Sequence, residues 1–370
     1  MSVKKIKNGK WEVRKSVYVE GERRHIKRRF KTRKEAVSFE EKFISEKQNG
    51  SLKIKEKRKD ENMTISELYE SYNAYYRKRY KESSYLTYKS KLEHHLIPYY
   101  GNKKVVEMKT SDIVKWHTGL LSKGLSVGYV RNIHARFSAM LEYGRQIGVV
   151  DHNICVEAGN VKKSSNDAKE ISYLDYNEWK IVESNLPDNI YGLIICFLYW
   201  SGLRIGEALA LNYSDFNSDF SEVHVSKTLT RKVESGGYKI TKPKTKNAIR
   251  FVTLEGGSIA KKLQDHYKLA KDSDGFCKSN FVFGNTKPVG STQIARVLNK
   301  AVEDSGIDKH IRIHDLRHSH ASLLIAEGVD PAILSARMGH ADISTTFDVY
   351  VHLFEQRRQR MVHILAKYND

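Results

Sequence analysis

The chain has 370 residues, enough for two or three domains, and its 40% hydrophobic and 10% aromatic content excludes wholesale disorder. Its 64 Lys and Arg exceed its 44 Asp and Glu, which gives a formal net charge of +20. That surplus favours a polyanionic partner, because basic side chains that contact phosphates release condensed counterions. Charge alone indicates the partner and leaves open whether the protein is an enzyme or an architectural protein.

The cysteines are scattered without a Cys-x-x-Cys spacing, which predicts reduced thiols and excludes a disulfide framework or a zinc ribbon. No apolar stretch in the sequence reaches the roughly 18 residues needed to cross a bilayer. The basic N-terminus lacks the apolar core of a secretory signal. We therefore expect a cytoplasmic protein with no membrane partner.

Residues 1–60 carry 21 Lys and Arg against 9 Asp and Glu, yet they have a folding pattern. Alternating apolar residues predict strands over residues 11–19 and 24–30, and Thr32 with Glu35 predicts a capped helix. A small sheet covered by one helix can lie in the major groove of DNA with its basic open face. The alternative is a solvated basic sheet without sequence preference. The candidate DNA contacts here are Arg14, Arg24, Lys27 and Arg28.

A charged linker precedes a segment, residues 63–160, that is predicted to be helical throughout. Helices are expected to begin at Thr64, Ser84 and Ser111, and another to cover residues 127–147. Basic side chains mixed with tyrosines follow these helices and predict a surface for duplex DNA, since most protein–DNA hydrogen bonds go to phosphates and sugars. An ordinary helical bundle with a solvated face is the alternative. The candidate contacts are Arg77, Lys78, Lys89, Arg131 and Arg136.

The remaining residues, from 168 onward, begin with an apolar helix over residues 190–200. The helix is expected to break at Ser201 and Gly202 and to resume so that Arg204 stands in a first turn, where free backbone N–H groups favour an anion. Glu207 can pair with Arg204 or brace this turn. Strand-like runs follow at residues 222–229, 238–241 and 249–254. A hairpin turn is predicted between the last two runs, and it projects Lys244, with Lys242 and Lys246 as rivals for its role.

His314 and Arg317 are spaced three residues apart and would point the same way on a helix. The same stretch also fits a zinc hydrolase, because His314 and His318 flank the carboxylate of Asp315 at metal-ligand spacing, with His320 as a further ligand. Against a metal, Asp is shorter than the expected Glu, and the adjacent arginine repels a cation.

Asp330 and Pro331 predict the start of a short helix that Gly339 ends, with His340 immediately after it. Tyr350 follows ten residues later. A basic amphipathic helix is predicted beyond Phe354, and it either packs on its own domain or docks on a neighbouring protomer.

In combination these motifs resemble the tyrosine recombinase family, the integrases of phages and conjugative transposons that carry an arm-site-binding N-terminal domain. The resemblance covers most of residues 170–355 through motifs and the whole chain in domain order. Met338 stands where the family usually has Leu, which conserves volume. The resemblance implies a multidomain α+β fold. Its parts are an arm-type DNA-binding domain (1–57) of a three-stranded sheet and a helix, an all-α core-site-binding domain (63–160), and a mainly α catalytic domain with a small antiparallel sheet (168–370).

The resemblance further implies a site-specific recombinase that integrates and excises a mobile element through a 3′-phosphotyrosyl intermediate. Tyr350 would attack the phosphorus, while Arg204 and Arg317 clamp the non-bridging oxygens. A second group of side chains would act on protons and oxygens: Lys244 protonates the leaving 5′-oxygen, His314 orients the tyrosine or accepts its proton, and His340 holds a phosphate oxygen. The ester keeps the bond energy, so neither ATP, nor a metal, nor another cofactor is expected.

The implied partner is double-stranded DNA at crossover and arm-type sites, in the nucleoid of a bacterial host. A homotetramer is expected on DNA and a monomer in its absence, with an excisionase and a DNA-bending protein as accessory factors. The alternatives within this chemistry are a type IB topoisomerase, a recombinase that resolves chromosomes or plasmids, and an inactive protein that only marks a DNA site.

Overall fold

The computed structural model describes residues 3–6, 9–19, 22–49, 62–162, 172–243, 245–254, 257–340 and 342. It has the predicted class: a mainly helical, multidomain chain with small antiparallel sheets and a three-stranded sheet at the N-terminus. Within the described ranges, no helix combines the length and the apolar character that a membrane crossing requires.

The N-terminal segment is an antiparallel sheet of strands β1 (Val3–Lys5), β2 (Trp11–Val19) and β3 (Glu22–Phe30), covered by helix α1 (Arg33–Gln48). The two predicted strands are confirmed, and the structure locates the third strand as β1. Thr32 and Glu35 form the predicted capping box at the start of α1. Apolar residues of the sheet and the helix are buried between them: Val13, Val17, Ala36 and Phe43.

The helical segment contains α2 (Ile65–Arg79), α3 (Glu82–His95), α4 (Ile97–Tyr100), α5 (Thr110–Ser122), α6 (Val127–Gln146) and α7 (Ile154–Ala158). Thr64 caps α2 as predicted, whereas α3 and α5 begin slightly before the expected Ser84 and Ser111. One apolar core joins these helices because the four long ones, α2, α3, α5 and α6, bury residues at helical spacing, among them Leu68, Leu92, Ile113, Ile133 and Phe137.

The third segment is built around the apolar helix α9 (Ile190–Ser201). Its other helices are α8 (Tyr176–Ser184), α10 (Ile205–Ala208), α11 (Ser258–Lys271), α12 (Ser291–Asp304), α13 (Ile313–Ala326) and α14 (Pro331–Met338). Helix α9 is apolar on all sides because α11, α12 and α13 pack around it. This central position fixes the end of α9, from which the chain turns to Arg204.

Two short antiparallel sheets flank these helices, and their pairing corrects one sequence-based expectation. Strand β4 (Glu222–Val225) pairs with β7 (Arg250–Thr253), and β5 (Thr228–Thr230) pairs with β6 (Lys239–Thr241). The predicted hairpin between the second and third strand runs is therefore wrong, because β6 and β7 lie in different sheets. The hairpin instead joins β5 to β6 around Gly236 and Gly237, whose φ values of 73° and 77° suit a tight turn.

The β5–β6 hairpin reaches the helical segment and contacts it through polar groups. Glu234 accepts a bond from Arg77 at 2.6 Å, and its backbone N–H donates to Glu82 at 2.9 Å. Lys239 also pairs with Glu82, at 3.1 Å. These contacts link α2 and α3 to the third segment independently of the chain connection between them.

Candidate active site

Arg204 stands at the junction of two helices, where the sequence predicted a break. Gly202 ends α9 in the left-handed conformation with φ 65°. A Cβ atom at Gly202 would lie 2.5 Å from the His320 ring, so both conformation and space require glycine. Arg204 is the N-cap of α10, and its guanidinium donates to Glu207 at 2.9 Å. The predicted pairing of these two residues is therefore present, and the Arg204 side chain remains 39% exposed.

Glu207 is a buried carboxylate that accepts hydrogen bonds from two arginines. It accepts from the backbone N–H and the guanidinium of Arg204, and from Arg250 Nη2 at 3.1 Å. Burial opposes the charge, but the guanidinium groups of Arg250 and Arg204 hold the pKa of Glu207 below its usual range. Arg250 was missed at the sequence level. In the structure, Arg250 and Val252 are the two buried positions of strand β7, and the alternation of these residues is the sequence pattern that could have indicated a buried arginine.

Arg317 lies on α13 and is buried, with a guanidinium held by two backbone carbonyls. Nη1 donates to the carbonyl of Gly202 at 2.7 Å, and Nη2 donates to the carbonyl of Met338 at 2.5 Å. The first carbonyl lies two residues before Arg204, and the second lies two residues before His340. Arg317 thereby ties the turn after α9 to the turn after α14.

His314 shares the N-terminal part of α13 with Arg317, and its ring lies 5.0 Å from that of His318 in an edge-on arrangement. Partial desolvation, followed by the positive charge of Arg317, lowers the pKa of His314. The carboxylate of Asp315 is fully buried and accepts from the backbone and guanidinium of Arg312 at 2.8–2.9 Å. That arrangement argues against Asp315 as the base of a metal site. Across the residues with described positions, no cluster of three His, Cys, Asp or Glu could hold a metal ion.

His340 follows α14 directly, as predicted, because Gly339 ends that helix with φ 65°. The backbone carbonyl of His340 accepts from Asn247, on the segment that leads into β7, at 3.4 Å. Burial, followed by the positive charges of Arg317, Arg204 and Arg250, lowers the pKa of His340 to about 4. A pKa in that range favours the neutral imidazole near pH 7.

The structure thus brings four predicted site residues into one electrostatic environment: Arg204, His314, Arg317 and His340. Lys244, Tyr350 and the helix expected beyond Phe354 lie outside the described residues. The arrangement presents guanidinium and imidazole groups at one place, which suits binding of a tetrahedral oxyanion such as a backbone phosphate.

The predicted DNA contacts of the N-terminal segment occupy different positions on its sheet. Arg14 and Lys27 are opposite each other in register, and both form ion pairs with Glu12. Arg28 instead lies with its guanidinium 5.5 Å from the centre of the Phe39 ring of α1. Arg24 pairs in register with Val17.

In the helical segment, several predicted DNA contacts have protein partners. Arg77 pairs with Glu234 of the β5–β6 hairpin, and Lys89 pairs with Glu93 one helical turn away. Arg131 donates to the carbonyl of Val161 at the end of the segment. Lys78 is exposed, and Arg136 is half-buried near the tyrosines of α2 and α3.

Comparison with protein families accounts for this architecture. Residues 180–357 match the phage integrase family, residues 64–121 match its N-terminal SAM-like domain, and residues 1–47 match an arm DNA-binding domain. The ICEBs1 integrase of Bacillus subtilis is 29% identical over 374 residues, covering 98% of each chain. The chain belongs to the phage integrase family of tyrosine recombinases. It is a site-specific DNA recombinase, an enzyme that cleaves and rejoins DNA.

Solved structures of tyrosine recombinases share this fold. The Tn1549 transposon integrase, in complex with transposon right end DNA, superposes with a TM-score of 0.68 at 22% identity, covering 82% of this chain and 100% of that one. The lambda integrase tetramer bound to a Holliday junction has a TM-score of 0.57 at 15% identity, covering 92% of this chain and 96% of the other. This tyrosine recombinase therefore has the predicted α-rich fold of the family.

Proposed function

We propose that this recombinase is the integrase of a mobile element, which it inserts and excises through a covalent phosphotyrosine formed by Tyr350. One observation carries the proposal: the Arg317 guanidinium is held by the carbonyls of Gly202 and Met338, next to Arg204 and His340. A lone arginine on a helix has no such arrangement. Two arginines fixed at one place can bind both non-bridging oxygens of a phosphodiester and the charge that develops there.

In the proposed cleavage step, the Tyr350 oxygen attacks the phosphorus and the bond to the 5′-oxygen breaks. The phenol proton passes to His314, whose lowered pKa keeps it neutral and able to accept. The leaving 5′-oxygen takes a proton from Lys244, which leaves a 5′-hydroxyl and a 3′-phosphotyrosyl bond. His340 donates to a phosphate oxygen. Ligation reverses these transfers when a 5′-hydroxyl from the partner duplex attacks, so no energy-rich cofactor is consumed.

The domain roles follow from this chemistry. Residues 1–57 would bind arm-type sites, while residues 63–160 and 168–370 would close around the crossover site. We propose a tetramer on two duplexes, because strand exchange needs four cleaved strands, with an excisionase and a DNA-bending protein setting direction. Support comes from proteins of similar fold: lambda integrase structures have been solved as a dimer bound to a core site and as a tetramer bound to a Holliday junction. The N-terminal arm-domain match favours an integrase over a topoisomerase, which needs no second DNA reader.

Strand exchange between two duplexes tests the proposal directly. Labelled duplexes carrying the element's end and its target would be incubated with the protein in excess EDTA, and joined molecules would be separated by length. An integrase yields joints between the two duplexes, and those joints form without divalent metal. Relaxation of supercoiled DNA without joints would indicate a topoisomerase, and inhibition of cleavage by EDTA would overturn the proposed chemistry.

A further inference from the structure

A buried carboxylate lies in the middle of the basic sheet at the N-terminus. Glu12, on β2, accepts from Arg14 Nε at 2.6 Å, from Arg29 Nε at 3.2 Å and from Lys27 Nζ at 3.3 Å. The Glu12 side chain is 4% exposed, whereas those of Arg14, Arg29 and Lys27 are 71%, 54% and 49% exposed. The three cations therefore cover the anion and remain open to solvent themselves.

Strand register places this cluster on the open face of the sheet. Glu12 is opposite Arg29, and Arg14 is opposite Lys27, so the four side chains form a two-by-two block on adjacent strands. Val13 alternates with Glu12 and Arg14 along β2 and is buried on the side covered by α1. The block therefore lies on the face of the sheet opposite α1, and a duplex can approach this open face.

Stability of the sheet does not explain the arrangement. Ion pairs whose cations are 49–71% exposed contribute little to folding, since water and salt screen them. Three cations close together also repel one another, and the block keeps a surplus of two positive charges. Hydrogen bonds from Arg14, Arg29 and Lys27 outweigh burial and lower the pKa of Glu12 to about 2, so the carboxylate stays charged at neutral pH.

We propose that Glu12 is a positioning residue that fixes Arg14, Lys27 and Arg29 in one geometry for binding double-stranded DNA. The inference rests on the proposed arm-site function of this segment and adds Arg29 to its DNA-contacting residues. Fixing flexible cationic side chains before binding lowers the ordering entropy lost in the complex. A fixed fork also discriminates between base edges, which a mobile charge does not.

The substitution Glu12→Gln separates positioning from simple charge, because the two accounts predict opposite signs. Removing a negative charge from a DNA-binding surface tightens binding if only electrostatics matters. If Glu12 positions the cations, specific binding weakens by about tenfold, the scale of one lost base contact, while binding to unrelated DNA stays equal or increases. The matched control is Glu40→Gln, which makes the same charge change at the Lys15 ion pair between the sheet and α1.

The probe is a duplex of the element's end sequence that full-length protein protects from nuclease outside the crossover region, compared with a scrambled duplex of equal length. All variants are full-length, and their thermal unfolding is measured alongside. Arg29→Gln serves as the second variant, since it leaves Glu12 with two partners and the sheet intact. We expect Arg29→Gln to weaken binding and to reduce the salt-dependence slope by about one.

The possible outcomes distinguish the proposed arm-site function of this segment from the positioning role of Glu12. If Arg14→Ala and Arg29→Gln leave binding to the probe unchanged, this face does not bind DNA, and the proposed arm-site function fails with it. If those variants weaken binding but Glu12→Gln behaves like Glu40→Gln, the positioning role alone is wrong. A Glu12→Gln defect of equal size on the probe and on the scrambled duplex would also overturn the positioning role, because positioning is expected to affect specific binding alone.

Discussion

Arg250 donates from Nη2 to Glu207 at 3.1 Å, and both side chains are buried. The same guanidinium donates from Nε to the carbonyl of Arg337 at 2.6 Å, and from Nη1 to the carbonyl of Ala248 at 3.0 Å. One side chain therefore connects the carboxylate that holds Arg204, the segment before β7, and the end of α14. Because the turn to His340 begins there, Arg250 sets the relative position of three parts of the site.

Replacement of Arg250 by Lys is expected to impair chemistry more than DNA binding. An ammonium cannot reproduce three bonds in the plane of one guanidinium, so Glu207 and the end of α14 lose their common partner. We expect the rate of covalent capture to fall by about 100-fold, which is typical when catalytic groups are displaced by a small distance. The affinity for crossover DNA should change only a few-fold. Suicide substrates nicked near the cleavage site give the rate, and filter binding gives the affinity.

Arg231→Lys is the control for that experiment, because Arg231 also donates to backbone carbonyls of the third segment, those of Pro288 and Val289. It should cleave at the wild-type rate. Cleavage by Arg250→Lys at the wild-type rate, with normal thermal unfolding, would show that Arg250 does not position the site.

Arg317→Lys is expected to lose cleavage almost completely. The lysine keeps a positive charge, but its single nitrogen cannot reproduce the planar set of donors by which Nη1 and Nη2 hold the carbonyls of Gly202 and Met338 and leave N–H groups for a phosphate. Loss of such charge stabilisation corresponds to a rate decrease on the order of 10²–10³. The measurement is single-turnover cleavage at saturating protein, so that any change in affinity is excluded. A decrease below fivefold would contradict the proposed clamp.

Glu234 is expected to compete with DNA phosphates for Arg77. The Arg77–Glu234 pair at 2.6 Å joins the helical segment to the β5–β6 hairpin, and both side chains are exposed to solvent. Because an exposed pair is weak, a phosphate can displace the carboxylate. Glu234→Gln should therefore tighten binding to crossover DNA, whereas Arg77→Ala should weaken it.

Glu303→Gln, at an exposed position on α12, controls for the general change in net charge. Affinities are compared at two salt concentrations, because an effect through Arg77 must diminish with ionic strength. If Glu234→Gln and Glu303→Gln tighten binding equally, or if Glu234→Gln weakens it, the competition is absent.

Folding stability is expected to decrease as the pH falls below about 6.5, in part through His320. Burial, followed by the nearby charge of Arg337, lowers the pKa of His320 to about 3, and its Nε2 accepts from Arg337 Nε at 3.1 Å. The folded state therefore holds this imidazole neutral, while the unfolded chain takes up a proton near pH 6.5. The contribution of the neutral His320 to the free energy of unfolding is complete above that pH. Below it, the contribution is lost at up to about 1.4 kcal/mol per pH unit.

Urea unfolding of the wild type and of His320→Asn from pH 7.5 to pH 5 tests the direction of this pH dependence. The stability difference between the two proteins should shrink as the pH falls, and His310→Asn, at an exposed position, is the control for the replacement of a histidine. A difference that is constant or grows towards pH 5 would contradict a neutral buried His320.

Local patterns predicted the elements that carry the site, because their signals lie within a few residues. The Thr32–Glu35 capping box, a break at the Ser201–Gly202 step and a short helix that begins at Pro331 and is ended by Gly339 are all present. Each depends on a cap or a left-handed glycine that adjacent residues specify.

Long-range partners were not predictable in this way. Arg250 and Glu207 are 43 positions apart, and Arg29 and Glu12 are 17 apart. Strand pairing decides the Glu12–Arg29 contact, whereas the Arg250–Glu207 contact joins β7 to helix α10. The sequence pattern predicts β6–β7 pairing, but the turn at Gly236 and Gly237 pairs β6 with β5. A buried arginine on a short strand has no local signal that separates it from a solvated one.

We propose that Tyr350 becomes covalently linked to the 3′-phosphate of cleaved DNA. A suicide substrate carrying the crossover site would be incubated with wild-type protein and with Tyr350→Phe, and protein–DNA adducts would be separated under denaturing conditions. We expect an adduct with wild type and none with Tyr350→Phe, while sequence-specific binding by the variant is unchanged. An adduct that still forms with Tyr350→Phe would show that another residue is the nucleophile.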